Sequence, residues 1–428
     1  MKPLILLLLV CSLSAAQTKS VKHSPPLSID DPAAVGMSQE RLSFIDDIIM
    51  GSIENDEIPG AVALVARKGK IVYLKAFGMA DNESGRKLKT DDLFRIASQT
   101  KAITSTAVMM LWEEGKFRLD DPISKYIPEF KNPMLLDSLI EKDSSYTTVK
   151  ADKEITIRHL ITHTSGIGYG MIDPDPRFTK MYQKAGIIDL FTTQPMLIRD
   201  NIKKLAKLPL HHNPGEKFTY SEGIDVLGYF IEVISGMPLD EFFKTRIFDP
   251  LDMEDTYFYI PENKQSRLVP VQTPENGQWK RFPASDFYDP DYPIKGAKTY
   301  FSGGAGLSST AKDYATFLQM YLNKGELNGI RILSRTTVQF MMANQIGEIW
   351  KGSGAYYGLA FSVLDEIGQG QGGRGSTGTF EWGGYFNTQY FADPKEEIIG
   401  VLLKQTQGTN SDNTGWQFKQ VVLQAVDD

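Results

Sequence analysis

The run from Phe94 to Phe130 reads FRIASQTKAITSTAVMMLWEEGKFRLDDPISKYIPEF, and its opening decides how the rest of the chain is understood. Ser98 and Lys101 stand three apart at the head of a segment, Thr100 to Glu114, rich in Ala, Val, Met and Leu and closed by Gly115. That composition predicts a buried helix, and residues three apart share one of its faces. A serine hydroxyl is a poor nucleophile until a neighbouring base removes its proton, which suits the lysine one turn on. Unpaired N–H groups at a helix start carry partial positive charge, which suits an oxyanion. The pattern alone is weak, because Ser309-Thr310-Ala311-Lys312 repeats it. There the reading is a helix cap with a solvated lysine. What distinguishes Ser98 is the apolar helix it heads, since a lysine in a buried first turn needs partners that a surface lysine does not.

On the N-terminal side, Ala61 to Ala66 and Ile71 to Phe77 are β-rich runs joined by Arg67-Lys68-Gly69-Lys70, a predicted hairpin. Before them an amphipathic helix is predicted from Ser38, its N-cap, to Met50, with Leu42, Ile45, Ile48 and Ile49 as the apolar stripe. On the C-terminal side, strands are predicted at Thr379 to Glu381, Thr388 to Ala392 and Ile398 to Lys404, then a helix from Asp412 to Val426. The middle, about 123–295, reads as helices and long loops, with a Pro214-Gly215 turn and an aromatic, Pro-rich stretch from Trp279 to Pro293. Strands and helices at both ends of a helical middle predict one mixed α/β (α+β) domain carrying a helical insertion.

The chain has 428 residues, of which 41% are hydrophobic and 23% charged, enough apolar content for a sizeable core. Its 46 Lys and Arg against 53 Asp and Glu give a net charge of −7, which opposes non-specific binding to nucleic acid or an anionic membrane. The opening MKPLILLLLVCSLSAAQ has a positive Lys2, an apolar Leu4 to Leu13 and small residues Ser14-Ala15-Ala16 before Gln17. It is expected to be a signal peptide over residues 1–16, which would send the chain to the periplasm or the medium. The lipoprotein alternative meets the bulky Val10 before Cys11. Residues 17–35 are then a lead and 36–428 the domain. Removal of the leader takes Cys11, the chain's one cysteine, and leaves no thiol nucleophile. No later stretch approaches the roughly 18 to 20 apolar residues of a membrane span.

The Phe94–Phe130 run resembles the nucleophile helix of the serine β-lactamase and penicillin-binding-protein superfamily, most of all class C β-lactamases and the related family VIII carboxylesterases. Further blocks similar to that family follow in order: HLITHTSGI (159–167), NPGEKFTYSEGIDVLGYFIEVISG (213–236), IFDPLDMEDTYF (247–258), GGAGLSSTAKDYATFL (303–318) and EWGGYFNTQYFADP (381–394). The resemblance implies a β-lactamase-like fold, an antiparallel sheet flanked by helices plus a mostly helical subdomain, with the site between them. It implies Ser98 as the acylated nucleophile, Lys101 as its partner and Tyr220 as the tyrosine of the second motif. Without the surrounding blocks, Tyr220 would read as a core aromatic. It also implies that Trp382-Gly383-Gly384 stands where the third motif stands, so that the backbone N–H groups of Ser98 and Tyr385 form the oxyanion hole.

Two positions depart from that pattern. The second motif ordinarily ends in Asn, and this chain has Glu222, which as a carboxylate accepts but cannot donate. Two readings stand: a partner for Lys101, or an exposed carboxylate at a helix start. The third motif ordinarily begins with Lys, which helps recognise a substrate carboxylate, and this chain has the uncharged Trp382. Trp382, Gly383, Gly384 and Glu222 are therefore expected to shape a site for an ester or acyl compound lacking an essential carboxylate. The expected function is that of a serine hydrolase forming an acyl-enzyme, with no cofactor and no metal. The alternatives are a β-lactamase or D-alanyl-D-alanine carboxypeptidase, and a silent binding protein on the same scaffold. The sequence leaves open the acyl group, the alcohol and the oligomeric state.

Other patterns carry less. No G-x-S-x-G occurs. His159 and His163 stand four apart without the glutamate of a zinc motif, and read as structural. His211-His212 read as solvated loop residues or as lining an entrance. The glycines from Gly368 to Gly375 read as a flexible hairpin tip near the site; an Arg or Lys from a loop could restore anion recognition, and Arg374 in this stretch is the candidate.

Overall fold

The strands that open and close the chain meet in one sheet. The computed structural model describes residues 18–140, 145–188, 190–409 and 411–428, so the expected leader lies outside the described residues. In chain order the strands of this sheet are β1 (Ser28–Ile29), β2 (Gly60–Arg67), β3 (Lys70–Asp81), β4 (Arg86–Lys87), β5 (Ala355–Tyr357), β6 (Ser362–Leu364), β7 (Phe380–Gly384), β8 (Thr388–Asp393) and β9 (Ile398–Leu403). In space they run β1-β3-β2-β9-β8-β7-β6-β5, with β4 paired to β3. Only the short β1 runs parallel to its neighbour. The helices that cover the sheet and frame the site are α1 (Gln39–Glu54), α2 (Thr100–Glu113), α3 (Gly223–Ser235), α4 (Ala311–Leu322) and α5 (Thr414–Gln424).

Successive side chains of a strand point to opposite faces, so a strand covered on both must be apolar throughout. β2, which reads GAVALVAR, is buried along its whole length. Ala61, Ala63 and Val65 pack with Leu42, Ile45 and Ile49 of α1 and with Phe418 and Val422 of α5. Val62 and Leu64 join the larger core with Val108 of α2 and Phe317 of α4. Each buried Val, Leu, Ile or Phe among these contributes about 1.5–3 kcal/mol, and each Ala less.

The helix ends follow their local chemistry. The Ser38 hydroxyl accepts from the Arg41 N–H at 3.2 Å, capping α1 as predicted. α2 is buried from Thr100 to Leu111 and ends at Gly115, whose φ is +69°. There the Gly115 N–H donates to Trp112 and the Lys116 N–H to Leu111, the paired bonds of a Schellman motif.

The structure adds strands the sequence did not announce. The middle of the chain holds two surface hairpins, Met134–Ile140 with Ser145–Lys150 and Gln272–Glu275 with Gln278–Arg281, besides its helices. The first is largely exposed on both strands, so it has no buried face to impose an alternating pattern. β5 and β6 are three residues each, too short for a period of two to register. β7 runs on to Gly384, past the predicted end at Glu381. The fold is a mixed α/β domain of the β-lactamase type, an antiparallel sheet between helices with a mostly helical region beside it. Among the described residues no helix is long and apolar enough to cross a membrane.

Candidate active site

A short strand, Phe94–Arg95, pairs with Ser308–Ser309 and delivers the chain to Ser98. Ala97 then takes a left-handed conformation, φ +42°, and residues Ala97–Gln99 form a 3-10 turn ahead of α2. A non-glycine residue there costs on the order of 1–3 kcal/mol and is held by its surroundings. The strain places Ser98 in the turn before α2 instead of in the helix itself.

Ser98 is 9% exposed and Lys101 only 1%. Lys101 Nζ lies 3.2 Å from Ser98 Oγ, 3.0 Å from the Tyr169 hydroxyl and 2.7 Å from the Gly304 carbonyl. A neutral amine has two N–H donors and one lone pair, and an ammonium has three donors. The Gly304 oxygen can only accept. As an ammonium the group can donate to all three oxygens; in the neutral form, donation to Gly304 and Tyr169 would leave the lone pair for Ser98 Oγ. The Gly304 carbonyl is itself held in place: Asp225 Oδ1 accepts from the Gly304 N–H at 3.1 Å and from Ser302 Oγ at 2.6 Å. Only glycine allows this approach, since a Cβ at Gly304 would sit 2.2 Å from Asp225 Oδ2.

Tyr220 lies just before α3, with its ring stacked on Tyr169 at 5.3 Å and its centroid 4.6 Å from Lys101 Nζ. Its hydroxyl meets Trp382 Nε1 at 3.4 Å, so Trp382 offers a donor as well as the apolar wall expected of it. Behind Tyr220 stands His163, fully buried, with its ring 4.6 Å away and Nδ1 accepting from the Ser221 N–H. Burial, aided by the charge of Lys101, pushes the His163 pKa well below its ordinary value and keeps the ring neutral. His159 completes a capping box with Thr156. Both histidines are thus held by contacts within the fold.

Glu222 stands at the N-cap position of α3 and its N–H donates to Gly168 O at 3.1 Å. It is 1% exposed, which overturns the reading of an exposed helix-start carboxylate. The bonds of Lys101 described above run to Ser98, Tyr169 and Gly304, and Glu222 is not among those partners. His212 is also buried, bonded to Asn213 O and Thr219 Oγ1, and His211 stacks on Phe178 and meets Asp173, so neither is a solvated loop residue.

β7 brings the Trp382-Gly383-Gly384 segment against the serine turn. A Cβ on Gly384 would lie 2.4 Å from the Ile96 carbonyl, so glycine is what lets the two backbones meet, and Tyr385 follows directly. Arg374 does not reach this side. It approaches Glu381 at 3.7 Å, beside Lys419 of α5, and Glu381 points to the face of β7 opposite Trp382. The glycines before it are partly a short helix, Glu366–Gly370, in the β6–β7 connection. Beside Ser98 opens a narrow cleft walled by Tyr169, Leu190, Phe191, Phe287 and Tyr385, and none of the residues lining it is charged. Tyr169, Asp225 and Gly304 carry much of this geometry and were not singled out by the sequence. Tyr169 falls two residues past the HLITHTSGI block, where no spacing marks it.

The model of the beta-lactamase family matches residues 45–424. Esterase EstB of Burkholderia gladioli is 31% identical over 396 residues, 88% of this chain and 93% of that protein. The lovastatin esterase of Penicillium rubens is 28% identical, covering 83% of this chain and 91% of its own length. Among solved structures, EstCE1, described as a hydrolase with promiscuous acyltransferase activity, superimposes with a TM-score of 0.75 at 27% identity, over 90% of this chain and 98% of that one. A family match through nearly the whole described chain leaves one conclusion: the protein belongs to the beta-lactamase family and is a serine hydrolase of that superfamily.

Proposed function

We propose that the protein hydrolyses esters of uncharged acyl groups through an acyl-enzyme on Ser98. The observation that carries this is the lining of the cleft beside Ser98, which is largely aromatic and aliphatic and holds no charged residue. Ser98 Oγ attacks the ester carbonyl carbon and its proton passes to Lys101 Nζ. The N–H groups of Ser98 and Tyr385 hold the oxyanion. The bond from carbon to the alkoxy oxygen breaks, and the alcohol leaves with a proton relayed from Lys101 through Tyr220. Water then attacks the acyl carbon, giving up a proton to the same amine, and the carboxylic acid departs from a regenerated Ser98. Tyr169 holds Lys101 in register throughout. In this reading Trp382, Gly383 and Gly384 flank the approach to the serine, and Trp382 offers an apolar surface in place of a cation.

A charge-assisted bond to a carboxylate contributes about 1.5–3 kcal/mol, and the cavity supplies no cation for one. That weighs against a β-lactamase or carboxypeptidase. The names of EstB and the lovastatin esterase support the ester reading. The test is intact mass spectrometry after treatment with a fluorophosphonate, with peptide mapping. One adduct on Ser98 is expected, and a protein that stays unlabelled would sink the proposal in favour of a silent scaffold. The apolar opening of the chain further supports export to the periplasm or medium, with Gln17 as the expected first residue on N-terminal sequencing; an intact Met1 on the protein recovered outside the cytoplasm would refute cleavage there.

A further inference from the structure

The two N–H groups assigned to the oxyanion belong to segments far apart in sequence, so their spacing has to be set by something that touches both. One four-residue stretch does. After β9 the chain runs Lys404-Gln405-Thr406-Gln407, with the first three side chains at most 2% exposed. Towards the serine, the Gln405 side chain holds both backbone groups of one residue: its Oε1 accepts from the Arg95 N–H and its Nε2 donates to the Arg95 carbonyl, each at 3.1 Å, and Nε2 also donates to the Lys404 carbonyl. Arg95 is three residues before Ser98. Towards β7, the Thr406 N–H donates to Phe386 O at 3.2 Å and Gln407 Nε2 donates to the Tyr385 carbonyl.

The turn that carries Tyr385 is pinned a second time. Asn387 sits at φ +68°, a conformation Asn tolerates, and its N–H closes the turn on Gly384 O at 3.0 Å. Its side-chain amide donates to Thr406 Oγ1 at 2.8 Å and to Asp412 Oδ2 at 2.7 Å. Asp412 is in turn paired with Lys404, both buried, and capped by the Thr414 N–H and hydroxyl. A buried ion pair contributes little net stability but becomes costly if one partner is lost, which suits a part that fixes geometry. The stretch itself is anchored on both sides by Gln272, whose N–H donates to Gln405 O and whose carbonyl accepts from the Gln407 N–H.

We propose that Gln405 and Asn387, through the Lys404–Gln407 stretch and its Lys404–Asp412 pair, are positioning residues that set the separation of the Ser98 and Tyr385 N–H groups. The inference rests on the esterase reading above. Loss of one oxyanion donor costs about 100- to 1,000-fold in kcat, and a displaced donor costs less. Gln405→Ala and Asn387→Gly should each lower kcat on p-nitrophenyl acetate about 10- to 100-fold while KM stays within about twofold. A boronic acid, which forms a tetrahedral adduct with an active serine, should lose affinity by a similar factor. Asn387→Gly keeps a residue at ease with positive φ, so it decides the matter if Gln405→Ala does not fold. Folded variants with unchanged kcat, or with KM raised and boronate affinity kept, would overturn the inference. The two failures are separable. Wild-type protein without ester turnover, or turnover that survives Ser98→Ala, overturns the functional reading and this inference with it. Turnover abolished by Ser98→Ala yet untouched by both variants overturns the inference alone.

Discussion

The Ser-x-x-Lys pattern recurs along the chain, and two of its copies, those at Ser98 and Ser309, lie side by side. Ser309 is in the strand that pairs with Phe94–Arg95, so it sits opposite Phe94 while the other strand continues to Ser98. Yet the surroundings divide the two copies completely. At the first copy the serine is in a strained turn, the lysine is buried, and the amine touches the hydroxyl. At the second, Ser309 bonds to Thr256 and Thr310 caps α4 by accepting from the Asp313 N–H. Lys312 points to solvent. The serine is locked in a sheet and the lysine is on the outside of a helix. A spacing of three brings two side chains together only when the backbone and the burial agree; the pattern does not carry the chemistry by itself.

The widest contrast expected between the copies is in turnover. Ser98→Ala should lower ester kcat by roughly a million-fold, the scale of losing a serine nucleophile, with thermal stability nearly unchanged. Ser309→Ala should keep full activity, and the opposite result would reverse the assignment. Tyr220→Phe comes next. It removes a hydroxyl and keeps the ring, so stability should survive while kcat falls about 100- to 10,000-fold. Tyr169→Phe, which leaves Lys101 two of its three partners, should cost less, and a larger loss there would move the proton relay to Tyr169. A smaller effect concerns substrate charge. Neutral short-chain p-nitrophenyl esters should be cleaved faster than penicillins by more than the roughly 10- to 150-fold that one charge-assisted bond represents, and Trp382→Ala should raise KM for those esters. Efficient β-lactam turnover with poor ester turnover would discard the ester reading.

The smallest effect belongs to the second copy. Burial raises the Asp313 carboxyl to about 6, although it accepts from the Asp255 N–H and the Thr256 hydroxyl. A carboxyl whose folded pKa is raised adds stability below its unfolded value near 4 and loses it as pH rises through the folded value. Asp313→Asn should therefore gain on the wild type between about pH 4 and pH 7, by at most about 3 kcal/mol at 1.4 kcal/mol per pKa unit. Denaturation midpoints of both proteins at the two ends of that range check it; parallel curves would show that Asp313 does not titrate in the window.

The difference between the copies was partly legible in the sequence. The long apolar run behind Ser98 announces a buried helix, and burial is what makes Lys101 need partners. The partners themselves are not announced. Tyr169, Asp225 and Gly304 come from three separate stretches, and only the folded backbone brings them to one amine. The direction of Arg374 was equally hidden, because it turns on whether Glu381 or Trp382 faces the site, and one residue of register in β7 decides that. The hairpin, the flanking helices and the return of the chain to strands at its end were readable from apolar pattern. The two three-residue strands and the largely exposed hairpin of Met134–Ile140 with Ser145–Lys150 were not.

The pairing of β2 with β9 has a consequence for how the molecule comes into being. Leu64 lies opposite Val401, so the centre of the sheet joins residues that are synthesised at opposite ends of the process. At 5 to 20 residues per second the gap is roughly 20 to 70 s. During that interval the β2–β3 hairpin has an open edge, and β2 is apolar on both faces. Contacts of such long sequence separation make folding slow, and an uncovered apolar edge is a template for the wrong partner. The strand that leads into the Lys404–Gln407 stretch is thus also the strand that ends the chain's exposure to aggregation, and truncation before Ile398 should leave the protein insoluble whatever becomes of its nucleophile.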